Sequence, residues 1–164
     1  MLGAEHEANA AGHRRVGSEH LLTALVGVGD GRGATWLRSQ GLGAAEVRAL
    51  VRRDLDRRGG DPHGFDPDDL EGLGLAPGAA LVSTPLPSRR RRFWSPDVAA
   101  VVHTAYETAG RVGRRAPTDD DLLLGILDTR SCRARRTLVR LGVDLDRLRA
   151  ALRGEPPPTA VGAR

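Results

Sequence analysis

Residues 18–26 read Ser-Glu-His-Leu-Leu-Thr-Ala-Leu-Val, and residues 119–127 read Asp-Asp-Asp-Leu-Leu-Leu-Gly-Ile-Leu. Each stretch starts polar and reaches a Leu-Leu pair three residues on, and the two lie 101 residues apart. The same offset carries Ala8 to Ala109, Gly12 to Gly113, Glu19 to Asp120 and Leu25 to Ile126 without a gap. It continues through Leu37 to Leu138, Gly41 to Gly142, Leu42 to Val143 and Val47 to Leu148. One unbroken register of this kind is the signature of a tandem duplication.

Each copy reads as four short helices. In copy two, Ser95 stands as N-cap and Pro96 takes the first helical position. Val98, Val101, Val102, Ala105 and Ala109 then follow the helical period. Thr118 caps a second helix, and its acidic first turn, Asp119-Asp120-Asp121, suits the positive end of the helix dipole. Residues 130–141 and 144–153 give the third and fourth helices, stopped by Gly142 and Gly154. Copy one repeats the last three helices over roughly 18–27, 31–40 and 43–57, with Gly41 as the matching stop. Met1 aligns with Val102, so the first helix of copy one is expected to be about two turns shorter than its counterpart. The expected fold is all-α: two tandem four-helix repeats in a pseudo-twofold bundle, the first helix of copy one truncated. Repeat one spans 1–57, a Gly/Pro/Arg-rich linker 58–92 (with one weak helix at 66–73), repeat two 93–154, and a disordered tail 155–164.

Composition removes several function classes. All 25 basic residues among the 164 are Arg, which excludes a Schiff-base lysine and the phosphate-binding Walker lysine. The single cysteine, Cys132, excludes an intrachain disulfide and any multi-cysteine metal site, and it reads as a half-buried helix residue. Aromatic residues make up 3%, too few for a base-stacking platform. No signal pattern opens the chain and no apolar run is long enough for a membrane span, so a cytoplasmic protein without membrane contact is expected. The arginine runs at 89–92 and 133–136 make a basic helical nucleic-acid binder the alternative, although 21 acidic residues offset the 25 basic ones.

Gly12-His13, Val16-Gly17-Ser18-Glu19-His20-Leu21-Leu22, and Trp94-Ser95-Pro96 ahead of Ala109, Gly113, Leu122-Leu123 and Gly125 together resemble the N-terminal domain of Clp unfoldases, the ClpC type above all. That family's repeat reads F-T-P-x-A…A…G-H-x-x-[IV]-G-[ST]-E-H-[IL]-L. The likeness covers residues 4–57 and 94–153, and copy two departs from it with Pro-Thr-Asp-Asp-Asp in place of G-[ST]-E-H. The resemblance implies a protein-interaction domain, receiving substrates or adaptors for the Clp ATPase ring, with no catalytic site and no cofactor. With no ring modules present, the chain is expected to act as a free-standing receptor, either an adaptor or a decoy. In ClpC-type domains each repeat forms a pocket for phosphorylated arginine around the motif glutamate. Carried over, the first pocket comprises Gly17, Ser18 and Glu19, with Arg14 and Arg15 toward the phosphate. The second, weaker pocket comprises Thr118 and Asp120.

The residues also admit plainer readings. Glu19 in a first helical turn favours the dipole and needs no ligand. Asp120 is one methylene shorter than Glu, and its neighbours Asp119 and Asp121 would repel a phosphate. His6-Glu7 lacks the second histidine of a zinc-protease helix, since Ala10 stands there, and no metal site is expected. Ser18, Glu19 and His20 are triad residue types, but helix neighbours point about 100° apart and cannot form one.

Overall fold

The computed structural model describes residues 2–13, 15–57 and 93–155. The expected linker, its helix at 66–73 and all of the tail beyond residue 155 lie outside the described residues. Repeat one contains α1 (Leu2–Ala10), α2 (Ser18–Val28), α3 (Arg32–Ser39) and α4 (Ala44–Arg57). Repeat two contains α5 (Pro96–Arg111), α6 (Asp119–Asp128), α7 (Arg133–Arg140) and α8 (Leu145–Arg153). Helix starts agree with the 101-residue offset to the residue: 18 with 119, 32 with 133, and 44 with 145. Left-handed glycines pair the same way, Gly12 with Gly113 and Gly41 with Gly142, all near φ +75° where only glycine is unstrained. Helix α1 has 9 residues and α5 has 16, as the shortened first helix required.

The third helix of each repeat crosses into the other. Helix α3 packs on α6 and α8, while its mate α7 packs on α2 and α4. This reciprocity is the pseudo-twofold, and it fuses both copies into one core. Ala4, Ala8, Leu21, Leu22, Leu25, Leu37 and Val47 are buried, and so are their mates Ala105, Ala109, Leu122, Leu123, Ile126, Leu138 and Leu148. Each buried leucine among them contributes about 1.5–3 kcal/mol relative to an exposed one. Gly125 lets α6 approach α5 closely, because a Cβ there would sit 2.5 Å from the Val101 carbonyl oxygen.

One feature departs from an all-helical expectation. Arg15–Val16 (β1) and Phe93–Trp94 (β2) pair in parallel, Arg15 with Phe93 and Val16 with Trp94. Two residues of ladder leave the fold all-α in character, but they clamp the entrance of repeat one to that of repeat two. Among the described residues, no helix is long and apolar enough to cross a membrane.

Candidate functional site

The start of α2 assigns its residues to different tasks. Gly17 is the N-cap, and its N–H donates to His20 Nδ1 at 2.9 Å. A backbone N–H can only donate, so Nδ1 is unprotonated and Nε2 carries the proton of the neutral ring. That Nε2 meets His13 Nδ1 at 2.7 Å, the two rings edge to face. Burial, reinforced by neighbouring His20, holds the His13 pKa below its ordinary value.

Ser18 turns away from the motif into the seam between repeats. Its hydroxyl donates to Asp97 Oδ2 at 2.5 Å and accepts the Ala134 N–H at 3.0 Å. Asp97 Oδ2 also accepts the Arg133 N–H at 3.3 Å, while Ser95 Oγ lies against Asp97 Oδ1 and the Val16 carbonyl. The first amides of α7 are therefore satisfied by Ser18 and Asp97. Asp97 belongs to the first turn of α5.

A first-turn carboxylate is ordinarily exposed, yet Glu19 is 6% exposed, and its Oε2 is buried without a hydrogen-bond partner. Its Oε1 lies 3.6 Å from Arg133 NH1 and 3.8 Å from His20 Nδ1. Burial drives its pKa up and wins over the opposing pull of Arg133. The carboxylate folds back over Gly17, where any Cβ would collide with it. A buried carboxylate with an unmet oxygen is energetically expensive. It is also a ready acceptor for a forked donor.

Asp120, the mate of Glu19, behaves differently. Its Oδ1 accepts the Gly33 N–H at 3.0 Å, and its Oδ2 accepts the Arg32 N–H at 3.3 Å and Arg32 Nε at 3.4 Å. It caps α3 across the repeat boundary. Thr118 caps α6, accepting the Asp121 N–H at 3.4 Å. Asp121, whose charge the sequence places near a phosphate site, is turned into a bidentate pair with Arg114 at 2.5 and 2.8 Å. Burial raises its pKa, but Arg114 and Thr118 outweigh that and hold it low.

Of the remaining candidates, Arg15 is exposed on β1 and Arg14 lies outside the described residues. Arg133, Arg135 and Arg136 of the second arginine run are all half-buried, so that run does not present a wholly exposed basic face. Cys132 is fully buried and is the N-cap of α7, not a residue within a helix; burial pushes its thiol pKa up to about 11. Glu7 is held by Arg48 at 2.8 and 2.6 Å. Spacing along the chain offers His13 and His20 no acidic partner, yet the fold brings Glu19 to them, and the ligand atoms of the three lie within 4.8 Å of one another. A cation on His20 Nε2 would need the ring proton on Nδ1, where the Gly17 N–H already donates. The cluster suits a shared proton better than a metal.

No family model matches the chain. A ClpA homolog of Cyanidium caldarium, named as the ATP-binding subunit of an ATP-dependent Clp protease, is 27% identical over 166 residues, covering 99% of this chain and 16% of that protein. The chloroplastic chaperone protein ClpC1 of Arabidopsis thaliana and that of Oryza sativa are each 27% identical over 149 residues, covering 91% of the chain and 13% of theirs. The chain is similar to these Clp ATPase subunits and chaperones over nearly its whole length. It spans well under a fifth of the relatives it matches, and the fold, a helical bundle of two repeats, agrees with that similarity. At the two positions that the 101-residue register pairs, repeat one has Glu19 and repeat two the shorter acid Asp120.

Proposed function

We propose that the chain is a receptor domain of the Clp system, binding guanidinium-bearing side chains, phosphoarginine among them, at Glu19. The observation that carries this reading is the buried Glu19 carboxylate with its unmet Oε2. A ligand guanidinium would supply the missing donors through a charge-assisted fork, worth on the order of 1.5–3 kcal/mol. The relatives support the setting, being named as Clp ATPase subunits and chaperones. Clients, adaptors or the ATPase ring itself are the partners this reading entails, in a cytoplasmic setting and with no catalysis by the chain.

Asp120 is the weaker site on this account, because the α3 amides already consume both of its oxygens. The two pockets therefore differ in occupancy, beyond the difference in side-chain length. Calorimetric titration with a phosphoarginine peptide tests the proposal. Glu19→Gln is expected to lose about tenfold or more in affinity, and Asp120→Asn little. Undiminished binding by Glu19→Gln, or no binding by the parent, would overturn it.

A further inference from the structure

The two motif acids share a neighbour that the repeat register makes conspicuous. Arg133 NH1 stands 3.6 Å from Glu19 Oε1, and Arg32 Nε stands 3.4 Å from Asp120 Oδ2. Arg133 and Arg32 are themselves 101 residues apart, at the first position of α7 and α3. Each repeat thus sends an arginine from its third helix onto the motif acid of the other. A guanidinium is the group that the proposed pocket would recognise in a ligand.

We infer that Arg133 is an internal occupant of the Glu19 site, so that an external guanidinium must displace it to bind. The inference rests on the reading of Glu19 as a guanidinium receptor. The geometry favours a displaceable contact over a permanent brace. At 3.6 Å the approach is an ion pair and longer than a hydrogen bond, it reaches one oxygen, and it leaves Oε2 unmet. Arg133 has a side chain 32% exposed, so a path to solvent lies beside the buried acid. Its backbone is anchored separately, through its N–H to Asp97.

The second site is closed more firmly. Asp120 is held by two backbone amides as well as by Arg32, whose side chain is 64% exposed. Removing the Arg32 side chain leaves those amides in place. The release should therefore be asymmetric: opening Arg133 exposes an acceptor, and opening Arg32 does not.

A site occupied internally for most of the time binds external ligand more weakly by the fraction left open. The test titrates the full chain with Nα-acetyl-arginine-N-methylamide and with phosphoarginine, following amide shifts by NMR. Arg133→Ala is expected to bind the arginine amide on the order of tenfold more tightly than the parent, and Arg32→Ala no more tightly than the parent. Arg133→Gln is expected to repeat the gain with a polar side chain in place, and Glu19→Gln/Arg133→Ala to abolish it. Should phosphoarginine bind the parent in a Glu19-dependent way while Arg133→Ala gains nothing for the arginine amide, the internal occupant is refuted and the receptor reading stands. Should neither probe bind the parent or Arg133→Ala, both are refuted.

Discussion

His20 and Asp121 occupy the same position in the two repeats, the third residue of α2 and of α6, and each accepts the N–H of its helix's N-cap residue. Gly17 N–H reaches His20 Nδ1 at 2.9 Å, and Thr118 N–H reaches Asp121 Oδ2 at 2.7 Å. Each also binds the residue seven positions earlier: His13 in one repeat and Arg114 in the other. One repeat closes this joint with a proton-sensitive pair of imidazoles, and the other with an ion pair.

The pH response should follow from that difference. His13 has a folded pKa below its ordinary 6.5, so its contribution is intact above that value and is lost as pH falls through the folded pKa. Asp121 is held low, and its contribution survives until pH falls well into the carboxylate range. The His13 contribution to stability in urea should therefore fade as pH falls between about 7 and 5, against an opposite trend from Glu19. The double variant His13→Arg/His20→Asp, which imports the joint of repeat two, should flatten that window. An unchanged slope in the variant would remove the imidazole pair as its source.

Glu19 should cost stability when ionised. Its raised pKa means that ionising the acid costs more in the folded chain than in the unfolded one, so stability is greater at low pH and falls as pH rises through the folded value. Glu19→Gln should stabilise the chain at pH 7, on the order of 1 kcal/mol, because the amide fills the same volume without a buried charge. Thermal unfolding at constant ionic strength measures this. A lower melting temperature for the variant would show that Arg133 pairs with the acid more strongly than its geometry suggests.

Ser18→Ala should be among the more damaging single-atom deletions in the seam. The hydroxyl bridges Asp97 and the Ala134 N–H, and its loss leaves a buried amide unmet. Denaturant titration should show a loss of about 1–3 kcal/mol. A change within a few tenths would mean that water replaces the hydroxyl.

Cys132 should be inert in the folded chain. The thiol is buried with a pKa of about 11, and its sulfur is engaged by Ile126 O and the Arg135 N–H. A thiol-reactive dye should label one cysteine in denaturant and none in the native protein over the same time. Rapid native labelling would contradict the burial.

Much of the fold is legible in the sequence because it is local. Helix periodicity, the caps at Thr118 and Ser95, and the glycine stops at 41, 142 and 154 are all set by residues close along the chain. The duplication then supplies the symmetry, since any helix placed in one copy is placed in the other. What the sequence did not disclose lies across the seam. Ser18 and Ala134 are 116 residues apart, and Ser18 and Asp97 are 79 apart. No periodicity reports that Asp97 and Ser18 will share at α7 the two amides whose mates at α3 both go to Asp120. Glu19 accordingly reads as an exposed dipole-favouring carboxylate until the seam is assembled around it. The β1–β2 pairing was hidden for the same reason, two residues being too short for an alternation signal.

The central claim is that Glu19, and not its repeat mate, is the acceptor of an external guanidinium. Amide chemical-shift mapping of the full chain during phosphoarginine titration tests it most directly. The account predicts saturable shifts at Gly17, Ser18, Glu19, Arg133 and Ala134, with Arg32, Gly33 and Asp120 nearly still. Shifts centred on Asp120 and the start of α3, or none at either acid, would contradict it.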